Sequence, residues 1–583
     1  LDATLNNKFL IFIVLGLGLA ACSAESPVDP AAETDRIASE FIVGFYQQYP
    51  EEAQESGFPD APNDRFGDHS AAGVAAWDAQ VDQWLEELNA VDTEAINGTP
   101  TATTWLFTQD RLQALVDRRV CRTELWNISP TWTGWQVLLP STFALQPVGT
   151  AAEKQAALAR IADLERFIDT EITNLRDGVE AGYLAPDHNV VAVANQVTTL
   201  IEMAVDDSPY FNPAARSDDA EFVSAYRAVM QDSFLPAMRR YLDYLGDYPA
   251  RSGTGVANNP NGETCYRASV RYWSSLSMDP ADIHRTGLAQ MSRIRTEMLA
   301  IAKETFGTDD LDAVLNELKS NPEHTFSSEE DMLQHVTAAV ERSKVAVHDW
   351  FGYVPEADMV IVPYPAYEKN SGGGFYSAGA VDGSRPGIYK VGTYNPTGIS
   401  RSDQESVAFH EGYPGHHMQV SIALLNQSLH PVLRYLFISG SGEGWALYTE
   451  TLADEMGLYS DEISRLGMLS AEASRAARLV VDPGMHVMGW TRQQAIDYIL
   501  ENTTSGIDGA SYEVDRYAAV PGQATSYLLG SLEIQRLRAH AETLLGERFD
   551  IKAFHDRVLE NGTVTLPMLG MSIDAWIHEE LAK

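Results

Sequence analysis

Cysteine is scarce in this chain, with three residues in 583, at positions 22, 121 and 265. None has a cysteine neighbour at the short spacing of a thiolate metal site, so cysteine-bound metal is excluded. Basic residues are also few, 41 Lys and Arg against 82 Asp and Glu, which leaves a formal charge of −41. That balance excludes nucleic acid as a partner, because phosphate binding requires a basic footprint. The acidic residues are spread along the chain. They describe a strongly solvated surface suited to salty surroundings, or one that selects cationic substrates. Long apolar runs are missing beyond the N-terminus, and no internal repeat is evident. What remains is an ordinary globular composition, 45% hydrophobic and 21% charged, with length enough for two lobes and a cleft between them.

The one apolar run, Phe9 to Ala21, follows Lys8. It is shorter than the roughly 20 residues of a membrane span and fits the core of a secretory signal. It ends in Leu19-Ala20-Ala21-Cys22, which resembles a bacterial lipobox. Residues 1–21 are therefore expected to be a lipoprotein signal peptide, with Cys22 lipidated as the first mature residue. Residues 22–36, made of Ala, Ser, Pro and acidic residues, are expected to be a flexible tether. The mature chain would be exported and lipid-anchored to a bacterial membrane facing the periplasm, with the outer membrane as the expected one. In such a compartment a Cys121–Cys265 disulfide is permitted; two separate buried thiols are the alternative.

From Ile37 onward, helical patterning dominates. Ala72–Leu88, residues 151–177, residues 218–245 and Pro280–Thr305 repeat apolar residues at spacings of three and four. Asp279-Pro280 reads as an N-cap with proline at the first helical position. The interval from Met359 to Pro396 differs. Val360-Ile361-Val362 is strand-like, and glycine-rich stretches around Gly372 and Gly383 read as tight turns. The predicted fold is mainly α, with a small β-element that could offer a substrate a backbone edge. Residues 37–350 form a mostly helical N-terminal part and residues 351–583 a catalytic part.

The chemistry concentrates in His410-Glu411-Gly412-Tyr413-Pro414-Gly415-His416-His417. Adjacent His and Glu on a helix suit a zinc hydrolase, the first as ligand and the second facing the reacting water. The usual second ligand lies four residues on, but that position is Pro414. Proline and glycine can distort the helix, and a bulge that absorbs two residues would bring His416 to the missing place. His417 is the alternative if the spacing is compressed instead. Glu443, between Gly442 and Gly444, is the expected third ligand; Glu450, seven residues further on the same face, is its alternative or a supporting group.

These motifs resemble the bacterial DUF885 family, many of whose members are lipoproteins, with the hallmark His-Glu-x-x-Pro-Gly-His-His-x-Gln at His410 to Gln419. Asp382–Gly387, Glu443–Tyr448, Arg478–His486 and Pro521–Tyr527 also match in order, and Gly392 departs from an expected Asn. The resemblance implies zincin-like metallopeptidase relatives and a large helical, oligopeptidase-like fold with a deep channel. Peptide hydrolysis also needs a donor for the developing oxyanion, and Tyr527 and His486 are the candidates. Arg385, Arg516 and Tyr517 could hold a substrate carboxylate or backbone. The expected enzyme holds one Zn²⁺ on His410, His416 and Glu443, uses Glu411 as base, and acts on peptides. A peptide- or ligand-binding lipoprotein with a degenerate metal site is the main alternative, and a hydrolase of non-peptide amides or esters is another.

Overall fold

The computed structural model describes residues 29–583, except Asp60, residues 366–372 and Ser384. The expected signal peptide and Cys22 lie outside the described residues. Among those described, the chain is mainly helical with one small sheet, and no helix is long and apolar enough to cross a membrane. Of the residues expected to be a tether, 30–36 are helical instead. Pro30–Gln48 is helical, with Pro30 in the first turn and the Asp29 carboxylate accepting from the Ala31 N–H. Ile37, Phe41 and Phe45 on that helix are buried, so an apolar face stabilises a segment whose composition looked like linker.

Eight helices and the sheet position the candidate site. They are α1 (Gly262–Ser274), α2 (Pro280–Thr305), β1 (Met359–Pro363), β2 (Gly374–Ser377), β3 (Gly387–Val391), α3 (Gln404–Glu411), α4 (His416–Leu425), α5 (Ser439–Glu455), α6 (Glu462–Val487), α7 (Ile507–Ala519) and α8 (Ser526–Leu545). The Asp279 side chain caps α2 on the Ala281 N–H, as its sequence predicted. In the sheet, β3 is central, parallel to β1 and antiparallel to β2, so among the described residues β2 is an edge. The main core draws from both ends of the chain, with Ile37 and Phe41 in the same buried cluster as Phe409, Trp445 and Ile534.

Helices α5 and α8 cross backbone against backbone. A Cβ on Gly530 would lie 1.8 Å from the Gly440 carbonyl oxygen, and one on Gly444 would lie 2.6 Å from the Gly530 carbonyl carbon. Only glycine permits that approach. Cys121 and Cys265 form a disulfide, which settles the pairing the sequence left open and ties the turn at Arg119–Cys121 to α1.

Candidate metal centre

His410 and Glu411 are the last two residues of α3, where both are buried. The helix does not bulge through Pro414, as expected from the sequence, but stops. Gly412 leaves helical geometry, the Tyr413–Pro414 peptide is cis, and α4 starts afresh at His416. Gly415 lies on the end of α3, where a Cβ would sit 1.9 Å from the His410 carbonyl oxygen. The chain therefore folds straight back, and the His410 and His416 rings meet edge to face with centroids 4.9 Å apart. The Trp445 indole N–H of α5 donates to the Pro414 carbonyl at 3.0 Å and fixes the connection.

Glu443, in the first turns of α5, completes the group. Its Oε2 is 3.5 Å from His410 Nε2 and 3.2 Å from His416 Nε2. One ligand atom from each of the three lies within 4.8 Å of the others. Tetrahedral zinc with bonds of about 2.0–2.2 Å holds its ligands about 3.4 Å apart, so the two spacings to Glu443 fit the ion.

The outer hydrogen bonds fix which ring nitrogens face inward. His410 Nδ1 meets Glu450 Oε1 at 2.8 Å, and His416 Nδ1 meets Gln419 Oε1 at 3.3 Å. Both acceptors face Nδ1, so in the tautomer that binds a cation each ring keeps its proton there and presents Nε2 toward Glu443. Three such groups brought together are the donor set that a cation site requires. Burial opposes charge on His410, but Glu443 and Glu450 outweigh it and push its pKa up to about 9. Burial likewise works against the Glu443 carboxylate, yet His416 and His410 hold it well below the usual range.

Glu450 therefore supports the centre and does not join it. Its second oxygen accepts from Ser406 Oγ, and Arg475 Nη2 lies 3.4 Å from the first. Glu450→Gln is expected to weaken metal binding ten- to a hundred-fold, read by competition with a chelator, because outer-shell partners typically carry that much. An unchanged affinity would show that the His410 ring needs no such support.

His417, the alternative ligand, turns the other way. Its Nδ1 meets the Tyr376 hydroxyl of β2 and its Nε2 the Tyr413 hydroxyl, each at 3.0 Å. Burial pulls its pKa down to about 4, so it is a neutral link between α4 and the sheet.

Glu411 lies beneath the edge strand: a Cβ on Gly374 would be 2.9 Å from Glu411 Cγ and from Tyr389 Cε2. Burial raises the Glu411 pKa above the ordinary carboxylate value, a shift suited to a group that both accepts and returns a proton. Tyr389 was not singled out from the sequence. It is fully buried, and its hydroxyl has no hydrogen-bond partner among the described residues. Nothing in Gly387–Val391 as a sequence marks it, and its inward face shows only in the alternating burial of the folded strand.

Tyr527, in the first turn of α8, is within electrostatic reach of Glu443. Burial and then the Glu443 charge raise its pKa, keeping the phenol protonated and able to donate. His486 does not fit the donor role proposed from sequence. It is fully buried and stacked on Tyr266, its Nδ1 accepts from the Val256 N–H at 3.0 Å, and its Nε2 donates to the Tyr517 carbonyl at 2.9 Å. Both ring nitrogens are committed to backbone.

Of the expected substrate-binding residues, Arg385 donates to the Ala378 carbonyl at 2.6 Å and pins the connection between β2 and β3. Arg516 and Tyr517 both hydrogen-bond Glu513, and the remaining Arg516 nitrogen goes to Gln523. These groups shape their surroundings with each other.

One buried acid lies behind this region. Asp482 Oδ1 accepts from the Tyr266 hydroxyl at 2.6 Å and the Gly522 N–H at 3.1 Å, while Oδ2 has no hydrogen-bond partner among the described residues and lies 3.9 Å from His486 Nε2. Burial pushes its pKa up to about 7. The folded state thus holds a proton that the unfolded chain releases at about pH 4, so stability falls as pH rises from 4 to 7. Asp482→Asn should remove on the order of 2 kcal/mol of that loss between pH 5 and 8. Melting curves at the two pH values check this, and an identical pH response in both proteins would contradict it.

The comparisons agree with the fold. A crystal structure of a protein assigned as a lipoprotein in Colwellia psychrerythraea superposes with a TM-score of 0.87 at 24% identity, covering 95% of this chain and 100% of that one. Another, from Shewanella oneidensis and described as being of unknown function, gives a TM-score of 0.71 at 18% identity over 92% and 99%. No curated protein matches the sequence. The family model described as "Bacterial protein of unknown function (DUF885)" matches residues 50–573, and the chain belongs to that family.

Proposed function

We propose that this protein is a zinc-dependent hydrolase of peptides with a zincin-like centre. The observation that carries the reading is the convergence of His410 Nε2, His416 Nε2 and a Glu443 oxygen on one point, with the buried Glu411 next to it in sequence. Zinc held there would supply Lewis-acid polarisation of a water and a carbonyl. Glu411 takes the proton of the attacking water and returns it to the leaving amine. Tyr527 donates to the oxygen on which negative charge develops. Glu450 and Gln419 keep the two histidine rings oriented.

A peptide is favoured as substrate by the edge strand. The Gly392 N–H donates to the Gly373 carbonyl at 3.0 Å, and Gly374 is in register with Val391. In an antiparallel pair the direction alternates, so Gly374 and Tyr376 turn their backbone groups away from β3. An extended peptide pairing with them would pass over Glu411. We place the enzyme outside the cytoplasm, anchored through Cys22, on the strength of the lipobox-like Leu19–Cys22 and of two structural relatives assigned as lipoproteins.

The test is metal analysis joined to a peptidase assay. About one equivalent of zinc is expected. Chelation should abolish cleavage of a peptide library, and added zinc should restore it. Protein that neither holds zinc nor gains activity when zinc is supplied would instead be a ligand-binding lipoprotein.

A further inference from the structure

The charges behind Tyr527 do not balance. Arg478 of α6 and Arg516 of α7 share a single carboxylate, Glu513, at 3.2 and 2.9 Å. Arg516 is satisfied, with Nε and Nη2 on Glu513 and Nη1 on Gln523. Arg478 is not: only Nη2 reaches Glu513, while Nε and Nη1 are buried with no hydrogen-bond partner among the described residues. Buried charges are normally paired, and a surplus buried cation is conspicuous in a chain with a net charge of −41.

The surplus lies close to the reaction. The Arg478 guanidinium stacks 4.5 Å from the centre of the Tyr527 ring, and that phenol feels the charge of Glu443. The side chains of Arg478, Glu513 and Glu443 keep 13%, 24% and 17% exposure, so each retains some access to solvent.

We propose that Arg478 receives the free C-terminal carboxylate of a short peptide, so that the enzyme cleaves near the C-terminus of its substrates. This rests on the peptidase reading above and names its substrate class. A guanidinium with two spare donors suits a planar carboxylate, which it can bind with two parallel hydrogen bonds. An arriving carboxylate meets the exposed edge beside Glu513, and a rotation of the guanidinium brings a second donor to it. Arg516 takes no direct part: it holds Glu513 in place.

The experiment is calorimetric titration of zinc-supplemented Glu411→Gln protein, which retains uncleaved peptide, with N-acetyl-trialanine and with its C-terminal amide. The acid is expected to bind about tenfold or more tightly than the amide, the scale of one charged hydrogen-bonded pair. Arg478→Gln should abolish the preference, and Arg478→Lys should recover part of it. Equal affinity for acid and amide overturns the proposal without recourse to any Arg478 variant, as does a preference that survives Arg478→Gln. Cleavage by the unaltered enzyme separates the two readings. Equal cleavage of both peptides removes the carboxylate site and leaves the peptidase. A preference in binding with no cleavage of any peptide removes the peptidase and leaves Arg478 as an anion site.

Discussion

Glu411→Gln protein is expected to keep its zinc and to lose peptide hydrolysis by about a thousandfold or more. A positioned general base supplies roughly 10²–10⁴ in rate, and here the same group is also asked to protonate the leaving amine. The substitution isolates that role. Glutamine keeps the shape of the side chain, and since burial already disfavours the Glu411 carboxylate, removing its charge should cost little stability. His410, His416 and Glu443 remain, so metal content and melting temperature should match the parent within error. Variants at the ligands should behave differently. Glu443→Gln replaces an anion with a weaker neutral donor, and metal and activity should fall together. If Glu411→Gln protein bound zinc and hydrolysed peptides normally, the base would lie elsewhere, and the placement of Glu411 under Gly374 would be only packing.

The grouping of His410, His416 and Glu443 was legible in the sequence because its signals are local and chemical. His-Glu at a helix end, histidines after a Pro-Gly break, and a glutamate between two glycines each restrict the chemistry before any fold is known. The choice between His416 and His417 was legible only in part. Sequence geometry favoured His416 by assuming a bulged helix, whereas the chain uses two separate helices with Gly415 seated on the end of the first. The outcome is the same because glycine allows the turn to close by either route. His486 misled for the opposite reason. Its Pro-Gly setting resembles a site, but its partners, Val256, Tyr266 and Tyr517, are 230, 220 and 31 residues away. Nothing near it in sequence reveals that both nitrogens are taken. Arg478 and Tyr389 were missed on the same grounds, since an unmatched donor is defined by what the tertiary structure fails to bring to it. The mainly helical fold and the small sheet followed from periodicity; the glycine crossing of α5 and α8 did not, as it needs the identity of both faces.

That crossing yields the second large effect. Gly530→Ala is expected to destabilise the protein by about 3 kcal/mol or more, at the upper end for overpacked cores. The added methyl would lie 1.8 Å from the Gly440 carbonyl oxygen and 2.8 Å from Gly444 Cα, and neither is a flexible side chain that can move aside. Helices α5 and α8 must separate or tilt. Because α5 carries Glu443 and α8 carries Tyr527, the strain should appear at the metal centre as well as in the melting curve. Reduced zinc affinity is expected together with a lowered Tm. Gly509→Ala in α7 is the matched control, for a Cβ there meets nothing within 4 Å. Replacing a helical glycine in open space should raise stability by about 0.5–1 kcal/mol, since alanine has less backbone entropy to lose. The two substitutions add the same methyl group to helical glycines, so opposite signs would locate the effect in the crossing. Equal and small changes for both would mean that α5 and α8 can part without cost, and that the site does not depend on their contact.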